Sequence, residues 1–199
     1  MSGLNEALRA LLRADPMRMR IVECLRTLRL PDAWVGAGVV RSAVWDHVHG
    51  RPPGRTFADV DVIWFDPSAD RDDELDRSMH ALEPDILWSV TNQAHIHAAN
   101  GDPPYVSATD AMRFWPETAT AVAVRLEYDD SIGIAAPFGL DDLFGLVLRP
   151  TPPFAAARIR IVQQRIVGKR WREIWPRLSV APTDGAGASA VPASGPAST

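Results

Sequence analysis

Two aspartates, Asp59 and Asp61, lie two residues apart at the start of the apolar run from Val60 to Phe65. Alternate side chains of a β-strand lie on one face, so in a strand both carboxylates point the same way, with Cα atoms roughly 6.5 to 7 Å apart. Two like charges so close together are unfavourable unless a cation offsets them. A divalent cation would fit between them.

A glycine-rich turn precedes this pair in the chain. The run from Ala33 to Gly38 predicts a short strand that breaks at its glycines, and the residues from Val39 to Val48 predict a helix. The first turn of a helix has unpaired N–H groups and a partial positive charge, so it binds anions. Arg41 lies in that first turn, where the helix dipole disfavours a cation. A bound phosphate or the aspartate pair would balance Arg41.

A strand, a glycine turn that opens a helix, and Asp-x-Asp on the next strand together resemble the nucleotidyltransferase superfamily, the fold of polymerase-β-like and aminoglycoside-modifying enzymes. The chain is more closely similar to a bacterial nucleotidyltransferase-like family, over roughly residues 5 to 178. That similarity is carried by these segments: Gly36 to Asp46, His49 to Arg51, Asp59 to Val62, Asn92 to His97, Trp115 to Thr120 and Ala136 to Phe144.

The resemblance implies an α+β fold with a mixed β-sheet, flanking helices, a helical N-terminus and a long C-terminal helix. It implies transfer of a nucleoside monophosphate from a nucleoside triphosphate to a hydroxyl of an unknown acceptor, which could be a small molecule, RNA or protein. Asp59 and Asp61 would be catalytic and would hold Mg²⁺ (or Mn²⁺) on the triphosphate. The candidate nucleotide-binding residues are Gly36, Ala37, Gly38, Arg41, Ser42 and Asn92; for Asn92, a buried structural amide is an equal alternative.

This family pattern also implies a third carboxylate on a later strand, as general base or metal ligand. Glu127, at the end of a predicted strand, is the best candidate, and Glu117 is a weaker one. Asp85 lies at the start of its predicted strand, which is the wrong end for this role. The turn also departs from the usual Gly-Gly or Gly-Ser, since Ala37 has no hydroxyl to contact a phosphate. An alternative is therefore a catalytically impaired nucleotidyltransferase fold that acts as a nucleotide-binding or interaction module.

Hydrophobic periodicity predicts the elements that position these residues. Apolar spacing predicts two short N-terminal helices over residues 4 to 29, broken at Asp15-Pro16. A further helix is predicted up to Leu82, with the acids at its start complementing the helix dipole. A hairpin is predicted around Asp129-Asp130. The predicted divisions are N-terminal helices over 1–31, a nucleotidyltransferase-like domain over 32–178 and a disordered tail over 179–199, which is rich in Ala, Gly, Ser and Pro.

The longest predicted helix runs from Phe154 to Trp175 and carries a dense basic stripe. A solvated face is the default interpretation of that stripe, against contact with acceptor RNA or triphosphate. Arg51 and Arg55, in the loop before the acid pair, could close over a triphosphate or be solvated. His95-Ile96-His97 on a strand would be a weak zinc signal, since no cysteine or second ligand pair accompanies it.

Composition limits the remaining classes of function. The formal net charge of −4 and the 46% hydrophobic content fit a globular protein and give no strong signal for nucleic-acid binding. A single cysteine, Cys24, excludes an intramolecular disulfide and favours a reducing, cytoplasmic location. The sequence has no signal-peptide core and no run of about 20 apolar residues, so we expect no membrane partner.

Overall fold

The computed structural model describes residues 2–54 and 58–182. Its helices and strands follow one another along the chain in this order: α1 (Ser2–Arg13), α2 (Pro16–Thr27), β1 (Trp34–Gly36), α3 (Gly38–Val48), β2 (Val60–Trp64), α4 (Asp72–Leu82), β3 (Trp88–Asn92), α5 (Gln93–Asn100), α6 (Ala108–Ala111), β4 (Ala123–Leu126), β5 (Ile132–Ala135), α7 (Asp141–Phe144), β6 (Val147–Leu148), α8 (Ile159–Gly168), α9 (Trp171–Ile174) and β7 (Ser179–Val180). Short 3-10 helices occupy Met112–Phe114 and Pro152–Phe154.

Five strands form the central sheet, in the order β3-β2-β1-β4-β5. β2 and β3 are parallel, and the other neighbours are antiparallel. This mixed sheet with its surrounding helices confirms the predicted α+β class. The hairpin of β4 and β5 around Asp129-Asp130 is confirmed as well.

The two faces of the sheet are covered differently. Val35, Val62 and Val124 point to the larger core, which also contains buried residues of α1, α2 and α3. Trp34, Ile63 and Ala123 point to the other face, which Ala108 of α6 and Met112 cover. Because side chains alternate along a strand, Asp61 and Ile63 share this second face, and Asp59 directly precedes the strand.

Local signals explain most element boundaries. Asp15 caps α2 by accepting a hydrogen bond from the N–H of Arg18, and Pro16 occupies the first turn. The sequence predicts a strand from Ile86 to Val90, and the structure has it two residues later, as β3 from Trp88 to Asn92. The predicted C-terminal helix is divided: α8 ends at Gly168, and Arg170 has a left-handed backbone (φ +53°) before α9 begins.

The end of the described chain adds a second, two-stranded sheet. Ser179 and Val180 form β7, which pairs in parallel with β6. The rest of the predicted tail, residues 183–199, lies outside the described residues, as does Arg55 of the loop before the acid pair. In the described parts of the chain, no helix is long and apolar enough to cross a membrane.

Candidate active site

The register of the sheet brings the acid pair beside the glycine turn. Val35 pairs with Val62 in the antiparallel β1/β2 ladder, so the next step places Gly36 opposite Asp61. Asp59 directly precedes β2, and its charge acts on Asp61. Both carboxylates therefore lie where the chain leaves β1 and enters α3.

The backbone of the glycine turn is tightly constrained. A Cβ atom added to Gly36 would lie 2.8 Å from Cη2 of Trp115, so only glycine fits against that ring. Ala37 has φ +45°, which is rare for a residue with a side chain, and its N–H donates to the carbonyl of Val122 over 2.9 Å. α3 then begins at Gly38 without a side-chain cap. The N–H groups of its first turn are thus available to a ligand.

The Arg41 side chain extends from the same turn and lies against two tryptophan rings. Its Cζ lies 4.9 Å from the ring centroid of Trp171 and 5.9 Å from that of Trp45. The Nε atom is buried and has no hydrogen-bond partner among the described residues. Burial lowers the pKa of Arg41 to about 10, against the opposing effects of Asp61, Glu117 and Asp59. Arg41 therefore stays charged at neutral pH with a buried donor unused.

Asp61 is partly buried, and its burial is the main cause of its raised pKa. The charge of Asp59 raises this pKa further, whereas Arg41, Lys169 and Arg165 lower it. In residues 2–54 and 58–182, no lysine or arginine forms an ion pair with either aspartate. Two acids and three cations thus interact here without an ion pair between them among the described residues, an arrangement that suits a bound ion and a polyanion together.

Arg165 and Lys169 reach this site from α8 and the residue that follows it. Arg165 donates from Nε to Oε1 of Glu117 over 2.9 Å, and its Cζ lies 5.8 Å from the ring centroid of Trp171. From the sequence, both residues belong to the basic stripe of the predicted helix from Phe154 to Trp175. A solvated face is the default interpretation of that stripe, and triphosphate contact is the alternative. The stripe is not one surface, since Arg158 pairs with Asp102 and Arg170 with Glu173.

The structure does not bring the preferred third acid, Glu127, to the pair. β4 has Ala123 opposite Gly36, and Glu127 lies four residues further on, about 13 Å along the strand. There it accepts a hydrogen bond from Nε of Arg125 at 2.7 Å. Within the described residues, no group of three or more His, Cys, Asp or Glu side chains could hold a metal ion.

Ser42 and Asn92 have structural partners elsewhere. The Ser42 hydroxyl is buried and accepts a hydrogen bond of 2.8 Å from Arg18. Asn92 pairs with Trp64 at the far end of β2, where its amide donates to the carbonyls of Asp66 and Ala69. Its side chain also accepts from the N–H of Ala94 at the start of α5.

Other sequence candidates lie apart from the acid pair too. His95 and His97 lie in α5, a helix rather than a strand, so they do not share a face. Nη1 of Arg51 lies 3.8 Å from Oδ1 of Asp46, and the Arg51 guanidinium donates to the carbonyl of Ile174. Arg51 is therefore already engaged by residues away from the glycine turn.

Comparison with known proteins points to one family. The family model described as "Nucleotidyltransferase" matches residues 23–180. An NMR structure described as revealing a CCA-adding enzyme head domain is 32% identical, with a TM-score of 0.79 over 89% of this chain and 96% of that one. No curated protein matches the sequence.

More distant structures share the fold alone. The Thermotoga maritima CCA-adding enzyme complexed with tRNA is 16% identical, with a TM-score of 0.55 over 87% of this chain and 42% of that one. A CCA-adding enzyme complexed with CTP is also 16% identical, with a TM-score of 0.54 over 87% of this chain and 43% of that one. This chain spans less than half the length of those two enzymes.

Proposed function

The chain belongs to the nucleotidyltransferase family, and from that membership we propose that it transfers a nucleoside monophosphate from a nucleoside triphosphate to a hydroxyl acceptor. The observation that carries this proposal is the unmatched charge at the glycine turn. Two aspartates lie there without an ion-pair partner among the described residues, next to Arg41 with its buried, unused Nε donor.

The donor set fits a divalent cation. Asp59 and Asp61 lie two residues apart beside the glycine turn, and burial, followed by the charge of Asp59, raises the pKa of Asp61. Mg²⁺ or Mn²⁺ accepts such carboxylate oxygens together with phosphate oxygens. When bound, the ion would polarise the phosphate and neutralise charge that develops during transfer.

The phosphates would lie between the glycine turn and the side chains of Arg41, Arg165 and Lys169. The free N–H groups at the start of α3 point to where an anion binds, and Arg41 supplies a donor that is already dehydrated. Lys169 and Arg165 add further positive charge near Asp61, since both lower its pKa. The ion pair with Glu117 holds the guanidinium of Arg165 in place, so this group needs little reorganisation when the substrate binds.

The reaction proposed at this site is an in-line displacement. The acceptor oxygen forms a bond to the α-phosphorus as the bond from that phosphorus to the bridging oxygen breaks. Pyrophosphate leaves, and the hydroxyl proton passes to water. The chain contributes by orienting the triphosphate and balancing its charge, rather than through a covalent intermediate.

One observation favours a second candidate function, a nucleotide-binding module without turnover. No third acid lies with Asp59 and Asp61 in the described residues, and Glu127 lies at the other end of β4. Such a module would bind the nucleoside triphosphate with a divalent cation and release no pyrophosphate.

Incubation of the full chain with Mg²⁺ and each of ATP, GTP, CTP and UTP distinguishes these functions. Candidate acceptors should include RNA, since neighbours of this fold were solved with tRNA. Release of pyrophosphate that depends on the acceptor supports the transferase, and binding without release supports the module. Replacing Asp61 by Asn should remove most Mg²⁺-dependent binding, by about 100-fold or more, because charge neutralisation by a metal site contributes several kcal/mol. Unchanged binding of D61N in calorimetry would refute the site.

A further inference from the structure

Glu117 is a fully buried carboxylate in the wall of the proposed site. Its side chain is 0% exposed, and both oxygens have partners. Oε1 accepts from Nε of Arg165 at 2.9 Å, and Oε2 accepts from the Thr120 hydroxyl at 2.8 Å. A buried charge is costly unless it is paired and hydrogen-bonded, as this one is. With both oxygens used and no access to solvent, Glu117 is not placed to serve as the missing metal ligand.

The ion pair with Glu117 fixes Arg165 beside a second cation. Trp171 is buried, and the guanidinium groups of Arg41 and Arg165 lie 4.9 and 5.8 Å from its ring centroid. Two cations near one indole repel each other, and the negative charge of Glu117 offsets that repulsion. Glu117 engages Nε of Arg165 and, at 3.5 Å, one terminal nitrogen, so other N–H groups of this guanidinium stay available.

We propose that Glu117 is a positioning residue for the polyphosphate: it holds the Arg165 guanidinium against Trp171 and next to Arg41, so that the two arginines bind phosphate oxygens together. This inference rests on the proposed function. It gives the buried carboxylate a role different from that of the third catalytic acid, because it acts through Arg165 and does not touch the substrate.

The chain contains a closely matched control pair. Arg158, just before α8, donates to the buried carboxylate of Asp102 at 2.6 Å, and the Tyr105 hydroxyl donates to the same carboxylate. The exposed fractions of the side chains are 27% and 3% in this pair, against 34% and 0% in the pair of Arg165 and Glu117. Arg158 also lies over an aromatic ring, that of Phe154. The two pairs differ in their position relative to the aspartates.

The test compares Glu117→Gln with Asp102→Asn in the full chain. Binding of inorganic tripolyphosphate with Mg²⁺ is measured by calorimetry, and folding is followed by circular dichroism. We expect E117Q to weaken binding about 10-fold or more, since a charge-assisted hydrogen bond contributes about 1.5 to 3 kcal/mol. D102N should lower the melting temperature similarly and leave the Kd within about twofold. In a turnover assay, E117Q should raise KM for the triphosphate more than it lowers kcat.

Equal affinity of E117Q and the wild-type protein would overturn the inference, and so would an equal loss in D102N. Absence of binding by the wild-type protein would instead refute the proposed function together with the inference that rests on it. If E117Q does not fold, Arg165→Lys serves as the second variant, because it keeps the charge and loses the planar guanidinium that Glu117 orients. R165K should bind tripolyphosphate several-fold more weakly, and wild-type affinity would again overturn the inference.

Discussion

The two ends of the central sheet differ in whether their charged side chains form ion pairs. At the end away from the glycine turn, Arg125 pairs with Glu127 at 2.7 Å, and Arg26 pairs with Asp130 at 2.5 Å. At the glycine turn, two aspartates have no such partner among the described residues, and the Nε donor of Arg41 is buried and unused. Matched charges stabilise a fold by themselves, whereas unmatched charges at a constrained backbone are typical of ligand sites.

The end of the sheet away from the proposed site contains a cavity. A cavity of about 640 Å³ lies between the end of α2 and β4, and Arg125 and Glu127 line it. Of its charged groups, Arg125 and Glu127 pair with each other. We therefore propose the site from the unsatisfied polar groups at the glycine turn rather than from cavity volume.

The largest effect that would test this comparison concerns two arginines that each stack on a tryptophan. Arg41 lies over Trp171, and Arg125 lies 4.1 Å from the ring centroid of Trp34 at the other end. Arg41→Gln should weaken binding of Mg²⁺-tripolyphosphate about 10- to 100-fold, through loss of charge-assisted hydrogen bonds. Arg125→Gln should leave the Kd unchanged in the same calorimetric measurement. Similar losses in both variants would break the distinction between the ends.

Two glycines provide the next comparison. A Cβ atom at Gly36 would lie 2.8 Å from the Trp115 ring, and one at Gly133 would lie 2.3 Å from Oε1 of Glu127. The ring is packed into the sheet, but the Glu127 carboxylate is the end of a flexible, partly exposed side chain. Gly36→Ala should therefore lower the free energy of unfolding by about 1 to 3 kcal/mol. Gly133→Ala should change it by less than about 0.5 kcal/mol. Urea unfolding measures both, and the reverse order would contradict this packing.

A smaller effect is expected from backbone strain. Ala37 has φ +45° at the turn, and Asp130 has φ +61° in the hairpin at the other end. Ala37→Gly should stabilise the protein by about 1 kcal/mol, since glycine adopts positive φ without steric cost. Asp130→Gly should bring no gain, because aspartate tolerates this region and its contact with Arg26 would be lost. A destabilised A37G would show that the alanine methyl group contributes packing that outweighs the strain.

The smallest expected effect is a pH dependence of the ligand-free protein. Burial and Asp59 raise the pKa of Asp61 above its ordinary value of 3.8, so the folded state binds this proton more tightly than the unfolded chain does. The contribution of Asp61 to stability is therefore present at low pH and falls as pH rises from 3.8 through the raised pKa. With chelator present, D61N should melt at a higher temperature than wild type at pH 7.

Glu127→Gln is the control for that measurement, since it removes the contact with Arg125 and should lower the melting temperature slightly. The advantage of D61N should shrink as the pH approaches 4. A melting temperature of D61N below that of wild type at pH 7 would show that the charged form of Asp61 does not destabilise the ligand-free protein.

Contiguous signals predicted most of the fold. Alternation gave β2, the Asp-Pro break separated α1 from α2, and the Asp129-Asp130 turn gave the β4–β5 hairpin. Each of these signals depends on neighbours within a few residues, which the sequence displays directly. The roles of Asp59 and Asp61 stay predictions, although the register does place Asp61 beside the glycine turn.

Where the sequence left alternatives, long-range packing decided between them. Glu127 directly follows β4, close to where a third acid is expected, but nothing local shows at which end of the sheet it lies. Arg165 and Glu117 are 48 residues apart in the chain, and the basic stripe gave no sign of which cation has a buried partner.

By itself, the amino-acid sequence determined most of the helices and strands and the place of Asp61 on its strand, because side-chain period and turn chemistry are local properties. The mixed sheet was implied by the resemblance to the nucleotidyltransferase superfamily. Only the tertiary structure decided that Arg41, Arg165 and Lys169 face those aspartates and that Glu117 is buried behind them. The physical reason is that electrostatic partners are selected by distance in space. Distance in space depends on how α9 packs against α3, where the ring centroids of Trp171 and Trp45 lie 5.6 Å apart, and no short stretch of residues encodes that packing.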